Sequence, residues 1–415
     1  MKIRGLLLNI MYMGLVQFFN YAAPLLVIPF LTRVFSVEEF GVFSIYMSIA
    51  ALCFVLTDLG FTLSCTNLIA LSKDNQLKVN KIVSSAIIAK FIVLFILILM
   101  SSIFWKLGFI RSGYDWIVLI FTVFTQSLFL NWYFQGKEKM QWITVTYAIS
   151  KVLYLSLVFL FIKDSSTASD VLFLLGVSNI FALCTSWCLA YKNGLRLVKV
   201  DLLSVWELLG VSKGFWLSRL SVSIYTSANV ATVSFFSNPW QAAIYSVSEK
   251  VYQGVQNITS PISQAMYPYL SRTRDLNIFF IVTLATAIPI IACASLIMIN
   301  AEWIVIFLFG EKYIETESVL IFLMISSIVT YISVSFGYPA YSIFNRLDFV
   351  NVTTYVGTFL YFLFLVHFFV FDFEINALLM SKIVLLTELL VMLIRLVMFF
   401  YLYLNKESYN NEKYN

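Results

Sequence analysis

Charge is what this 415-residue sequence has least of: Asp, Glu, Lys and Arg together make up 12% of it, against 61% hydrophobic residues. Too few polar side chains remain to clothe a soluble surface, which excludes an ordinary soluble protein and leaves an integral membrane protein. The apolar segments run to about 20 residues without strand-like alternation, so they fit membrane helices and exclude an outer-membrane barrel. Metal-ligand spacing is missing too. Cys53, Cys65, Cys184, Cys188 and Cys293 lie in or beside apolar segments with no histidine cluster among them, so neither a disulfide framework nor a zinc site is expected. The loops are short, which leaves no soluble domain on either face. The N-terminus, charged then apolar, carries no small-residue cleavage site before Phe30 and reads as a first span rather than a removed signal.

What is present is a series of apolar windows, about twelve of them. They fall at roughly 6–31, 40–63, 82–104, 116–134, 140–162, 170–191, 214–236, 241–266, 278–300, 317–339, 350–371 and 376–404. One set of loops and termini collects about 16 Lys and Arg residues, among them Lys73, Lys78, Lys137, Lys139 and Arg196. The other set has about five, Arg33, Lys106, Arg111, Lys163 and Lys312. Both termini are therefore expected on the cytoplasmic side. The longest cytoplasmic loop, about Lys192 to Lys213, divides the chain into six helices plus six: 1–195, 196–404 and a disordered cytoplasmic tail, 405–415. Phe35-Ser36 with Gly41-Val42-Phe43-Ser44 is echoed by Phe236-Ser237 with Ala242-Ala243-Ile244-Tyr245-Ser246, as expected of two pseudo-symmetric halves.

The eighth window is long enough to span a bilayer yet too polar to face lipid. At helical spacing Tyr245, Glu249, Gln253, Gln256, Ser260 and Ser263 form one stripe, edged by Ser246, Lys250, Asn257 and Gln264. Intramembrane polar groups turn toward a bundle interior or water, so this stripe predicts a hydrophilic lumen. Asn9, Met13, Gln17, Asn20 and Pro24 repeat the theme in the first helix, where Pro24 and Pro29 favour a kink or broken turn. Arg219, Ser223 and Thr226 repeat it in the seventh.

Nine charged residues remain inside the windows: Asp58, Lys90, Lys151, Arg219, Glu249, Lys250, Lys382, Glu388 and Arg395. Each costs about 2.5–3.5 kcal/mol at a helix centre, and the cationic excess suits an anionic cargo. Lys90, Lys151, Glu249 and Lys250 sit deep and are expected in the lumen. Asp58, Arg219 and Arg395 lie near window ends and can be read as snorkelling; Lys382 reaches the outer interface on the same reading. Glu388 and Arg395 share a helical face and can equally form a structural network. His367 reads as an interface residue.

Several segments match one known pattern in order. Val27-Ile28-Pro29-Phe30-Leu31-Thr32-Arg33 with Glu38-Glu39-Phe40-Gly41 resembles a "PLLTR...EEYG" signature, with Phe40 in place of the usual tyrosine. Asp58-Leu59-Gly60 resembles "DLG". Trp132-Tyr133-Phe134-Gln135-Gly136-Lys137-Glu138-Lys139-Met140 resembles "W-x-FQG-x-E-x-M". The segments Ile244-Tyr245-Ser246, Ser260-Pro261-Ile262-Ser263-Gln264 and Phe309-Gly310-Glu311-Lys312-Tyr313 continue the series. The pattern is similar to that of the O-antigen (Wzx-type) flippases of the multidrug/oligosaccharidyl-lipid/polysaccharide (MOP) exporter superfamily.

The resemblance implies an all-α, MATE-like fold of two six-helix bundles around a cationic lumen, in the bacterial inner membrane. It implies alternating-access transfer of undecaprenyl-pyrophosphate-linked O-antigen repeat units to the periplasmic leaflet, for polymerisation in polysaccharide and lipopolysaccharide biosynthesis. On this reading Lys90, Lys151, Arg219 and Lys250 attract the pyrophosphate, Gln253, Gln256 and Asn257 contact sugar, and Glu249 carries a coupling proton. Asp58, Glu388 and Arg395 are further coupling or structural charges. No catalytic residue, metal or cofactor is expected, apart from a coupling proton or sodium ion. The expected partners are the lipid-linked oligosaccharide, membrane lipid, a polysaccharide polymerase and a chain-length regulator, with no nucleic acid. Two rival readings stay open: a multidrug or cation exporter of the same superfamily, and a membrane polymerase or glycosyltransferase.

Overall fold

The computed structural model describes residues 2–108 and 110–404. The expected disordered tail, 405–415, and the side chains of Asn9, Met13, Ser260 and Gln264 in the polar stripes lie outside the described residues. Among those described there is no strand. The chain begins with α1 (Lys2–Val34), α2 (Val37–Asp58), α3 (Phe61–Leu71), α4 (Gln76–Lys106), α5 (Gly113–Ser127) and α6 (Asn131–Gly136). It continues through α7 (Met140–Phe161), α8 (Ala168–Lys192), α9 (Leu202–Ser227), α10 (Asn229–Phe236), α11 (Pro239–Thr273) and α12 (Leu276–Ile299). It closes with α13 (Ala301–Phe309), α14 (Thr316–Ser335), α15 (Tyr338–Ile343), α16 (Leu347–Val370) and α17 (Ala377–Leu404).

Ten segments among the described residues are long and apolar enough to cross a membrane, which makes this a multi-pass membrane protein. The expected count of about twelve is not reached by that measure. The windows at 214–236 and 241–266 fold as α9 with α10 and as α11, helices too polar to qualify. The chain packs into two compact units, Met1–Ser223 and Ile224–Asn415. The boundary expected at 195/196 therefore falls inside the first unit. Where a loop was expected as far as Lys213, α9 already runs from Leu202, burying Val205, Leu208 and Ser212 while Leu202, Leu203 and Trp206 stay exposed. The helix α1 runs through Pro24 and Pro29 without interruption, so no broken turn forms there.

In the first unit, α2 stops at Leu59 and Gly60, both left-handed at φ 52° and 75°. A Cβ on Gly60 would lie 2.8 Å from the Trp216 backbone nitrogen and 2.9 Å from the Ser212 carbonyl, so α9 docks where only glycine fits. Ser64 and Ser212 share a buried hydrogen bond of 2.7 Å across this contact. The α6 segment is similarly tight: Trp132, Tyr133 and Phe134 are buried, and a Cβ on Gly136 would meet Ile69 at 2.8 Å. In the second unit the core is aromatic, with Phe279, Phe336, Phe399 and Tyr341 buried together between α12, α14, α15 and α17.

The two units repeat one plan. Each has a long helix that breaks into a short one, α5 to α6 and α14 to α15. Each short helix ends on a left-handed residue, Glu138 at φ 56° and Asn345 at φ 57°. The next backbone N–H then reaches back five residues, Lys139 to the Phe134 carbonyl at 2.8 Å and Arg346 to the Tyr341 carbonyl at 3.1 Å. That is the Schellman closure, which satisfies carbonyls left free at a helix end.

Candidate functional site

The charges inside the helices fall into separate groups. In the first unit Asp58, at the end of α2, is only 2% exposed, and Arg219 of α9 donates to it at 3.2 Å. Thr62 Oγ1 donates to the same carboxylate at 2.5 Å. Asp58 therefore does not snorkel: its partner arrives from 161 residues away and holds it inside. Arg219, half-exposed, is tied down by the same pair. Lys90 of α4 is also 2% exposed; its Nζ donates to the Ser127 carbonyl at 2.7 Å, and the Asp58 charge acts on it. A buried carboxylate thus lies between a half-exposed guanidinium and a buried ammonium, and desolvation makes Asp58 and Lys90 depend on their partners. Lys151 of α7 stands apart. It is half-buried and makes no hydrogen bond or ion pair with any described residue.

In the second unit the stripe on α11 divides into two parts. From Ala242 to Glu249 the helix is buried on every side, with Tyr245 at 1% and Glu249 at 6% exposure. The Lys250 charge acts on Glu249, whose carboxylate makes no hydrogen bond to a described residue. Beyond Glu249 the helix opens: Lys250, Gln253, Gln256 and Asn257 are half-buried. Lys250 Nζ donates to Gln253 Oε1 at 3.2 Å, and Gln256 Nε2 donates to the Ser327 carbonyl of α14 at 3.3 Å. Tyr252 and Thr330 share a hydrogen bond of 3.1 Å on the same contact.

On α17, Glu388 lies within electrostatic reach of Arg395 and beside Thr330. Arg395 is buried and does not snorkel, because three oxygens on two neighbours accept from it. Its Nε donates to Thr353 Oγ1 at 3.0 Å, and its Nη1 to the Ser333 carbonyl at 2.9 Å and to Ser333 Oγ at 3.1 Å. Lys382 is exposed, with its ammonium 5.2 Å from the centre of the Phe322 ring. His367 is exposed and packs on Phe371, ring centres 4.7 Å apart.

The structure thus brings Asp58, Arg219 and Lys90 together, strings Glu249, Lys250, Gln253, Gln256 and Asn257 along one helix, and leaves Lys151 alone. Sequence reading missed Asn229 and Tyr361. The Tyr361 hydroxyl donates to Asn229 Oδ1 at 2.8 Å, and both interact with the buried Tyr245 beside Glu249. Tyr361 follows Asn351, Thr354 and Thr358 at helical spacing, but that row holds no charge, and Asn229 sits at the start of an eight-residue helix too short to show a period. Among the described residues no group of His, Cys, Asp and Glu is placed to hold a metal ion.

The family described as "Polysaccharide biosynthesis protein" matches residues 6–274. A protein of Escherichia coli (strain K12) named "Putative O-antigen transporter" is 26% identical over 339 residues, 79% of this chain and 80% of the relative. A protein of the same name from Shigella dysenteriae is 28% identical over 279 residues, 64% of this chain and 67% of its own length. Among solved structures, the lipid II flippase MurJ in an inward closed conformation superposes with a TM-score of 0.70 at 16% identity, covering 95% of this chain and 93% of that one. An inward-facing multidrug resistance MATE family transporter of the MOP superfamily superposes with a TM-score of 0.67 at 12% identity, covering 92% and 93%. The fold is therefore that of MOP-superfamily transporters, and the chain belongs to the polysaccharide biosynthesis protein family.

Proposed function

We propose that this protein is a flippase for lipid-linked polysaccharide repeat units in the bacterial inner membrane. It turns undecaprenyl-pyrophosphate-linked O-antigen units from the cytoplasmic to the periplasmic leaflet by alternating access, with both termini cytoplasmic, and hands them to polymerisation. The observation that carries this reading is the second half of α11, a long helix in a chain of apolar spans that keeps Lys250, Gln253, Gln256 and Asn257 only half-buried. Amides and hydroxyls exchange hydrogen bonds with sugars, while an ammonium offsets diphosphate charge. The O-antigen transporters it resembles and the flippase fold support the same cargo class.

In this proposal Lys250, which gives up its hydrogen bond to Gln253, and Lys151, which makes none to a described residue, are the cations that meet the diphosphate, and Gln253, Gln256 and Asn257 meet the glycan. Arg219 is held by Asp58 and Lys90 by the Ser127 carbonyl, and each reaches cargo only by leaving that partner. Glu249, whose carboxylate makes no hydrogen bond to a described residue, carries a coupling proton on this reading. The test is transfer of a fluorescent prenyl-diphosphate oligosaccharide across proteoliposomes, followed by quenching with a membrane-impermeant reductant. Lys250→Ala combined with Lys151→Ala should slow transfer at least about tenfold, the loss of one well-placed charge contact or more. Normal transfer by that variant would contradict the assignment of these two cations.

A further inference from the structure

At the end of the first unit where α3 meets α4, α6 meets α7 and α8 closes, three lysines converge on one turn. The left-handed Glu138 reverses the chain and sets Lys137 and Lys139 on either side of it. Lys137 Nζ donates to the Lys73 carbonyl at 2.9 Å and to Gln76 Oε1 at 3.0 Å. Lys139 donates to Asn193 Oδ1, and Lys73 to Glu138 Oε2 at 2.5 Å. Each ammonium has three donors, so every one of the three keeps at least one unused. The ammonium groups are held by neutral oxygens apart from one exposed carboxylate, Glu138, whose side chain is 65% exposed.

Burial first, then the neighbouring charges of Lys139 and Lys73, pull the Lys137 ammonium below its ordinary range, and the opposing charge of Asp74 offsets them only in part. The same turn starts α7, where the Lys139 N–H is taken by the Phe134 carbonyl and the Trp142 N–H by the Lys139 carbonyl, and where the positive helix end carries no side-chain cap. The surroundings fix the depth. Leu71 and Leu77, on either side of Lys73, are exposed by 77% and 74%, a pattern that belongs at the headgroup boundary of a bilayer rather than in water.

We propose that Lys73, Lys137 and Lys139, with the uncapped start of α7, form a site for the phosphate headgroup of a membrane lipid. The shared chemistry is a phosphate oxyanion carried on an apolar chain, supplied either by a prenyl diphosphate, the cargo's own anchor, or by an anionic phospholipid. The prenyl-diphosphate case rests on the flippase reading; the site itself does not. Occupied by cargo, it receives the diphosphate at the membrane surface before translocation.

The test measures binding of geranylgeranyl diphosphate to the full-length protein in nanodiscs, with zwitterionic lipid alone or with phosphatidylglycerol added. Lys73→Gln/Lys137→Gln/Lys139→Gln should weaken binding at least about tenfold, whereas Lys78→Gln/Lys81→Gln/Lys192→Gln, which removes equal charge from the nearby start of α4 and end of α8, should stay within about twofold. Glu138→Gln should strengthen binding about threefold by releasing Lys73, a gain that misfolding cannot produce. Competition by phosphatidylglycerol assigns the site to bulk anionic lipid; insensitivity to it assigns the site to prenyl diphosphate. Equal loss in both triple variants, no loss in the first, or no gain in Glu138→Gln overturns the site. Failure here leaves transfer across proteoliposomes untouched, so it is distinguishable from failure of the flippase reading.

Discussion

The two units solve one problem at the same place with different chemistry. In the first, Ser36 Oγ caps α2 by accepting from the Glu39 N–H at 3.1 Å, and Glu39 Oε1 in turn accepts from the N–H of Ala168, the first residue of α8, at 2.7 Å. In the second, Asn238 Oδ1 caps α11 by accepting from the Gln241 N–H at 2.9 Å, and Gln241 Oε1 accepts from the N–H of Ala377, the first residue of α17, at 2.9 Å. A free N–H at the start of one helix is thus satisfied by the third residue of another, twice. The difference is charge: Glu39 also receives Arg111 at 2.8 Å, whereas Gln241 is neutral. The repeat is therefore kept as a hydrogen-bond role and a backbone path, not as residue identity, which is why the sequence echo is so short.

Buried charge differs between the units in the same way. The first buries Asp58 and Lys90, with the half-exposed Arg219 on the Asp58 carboxylate; the second buries Arg395 on hydroxyl and carbonyl oxygens and Glu249 beside Lys250. Asp58→Ala, which strands two cations, should destabilise by about 3 kcal/mol. Arg395→Leu leaves mainly neutral acceptors unpaired and should cost about 2 kcal/mol. Thermal unfolding in one detergent gives the ordering, and an equal or inverted pair of losses would erase the distinction. Gly60→Ala, forced against the Trp216 and Ser212 backbone at positive φ, should lose about 2 kcal/mol by the same measurement.

The two helix-start hydrogen bonds are worth less. Glu39→Ala and Gln241→Ala should each cost about 1 kcal/mol, the worth of one helix-start hydrogen bond. Glu39→Gln should cost only about 0.3 kcal/mol, because the amide does this work in the second unit and the exposed Arg111 pair contributes little. A loss as large as that of Glu39→Ala would show that the charge, not the acceptor, is what matters. Effects below about 1 kcal/mol are also expected at the left-handed turns. Asn345→Glu should lose about 0.5 kcal/mol, since Asn tolerates this region better than Glu, and Glu138→Asn should lose nothing. Hydrogen exchange at the backbone N–H groups of Lys139 and Arg346 reads both changes locally.

Much of this architecture was legible in the sequence. The window at 140–162 became Met140–Phe161 and that at 376–404 became Ala377–Leu404, because long apolar runs bounded by polar turns fix helix extent. The start of α9 was not legible: its exposed Leu202, Leu203 and Trp206 blur the period that its buried Val205, Leu208 and Ser212 set. Burial of Asp58 and Arg395 was equally hidden. Their partners come from other helices, Arg219 in one case and Ser333 and Thr353 in the other, and position along a window says nothing about them. The polar half of α11 did show, since a carboxylate and several amides at helical spacing stand out in an apolar chain. What spacing did not reveal is that Glu249 lies on the enclosed part and Gln253 to Asn257 on the open part.

The central claim, that this protein carries a lipid-linked repeat unit across the membrane, is tested most directly in cells lacking its gene. In spheroplasts of that strain, undecaprenyl-pyrophosphate-linked oligosaccharide should accumulate unpolymerised and shielded from an impermeant glycan-modifying reagent, and the wild-type gene should restore its exposure. Repeat units that reach the outer leaflet at the normal rate without the protein would contradict the account.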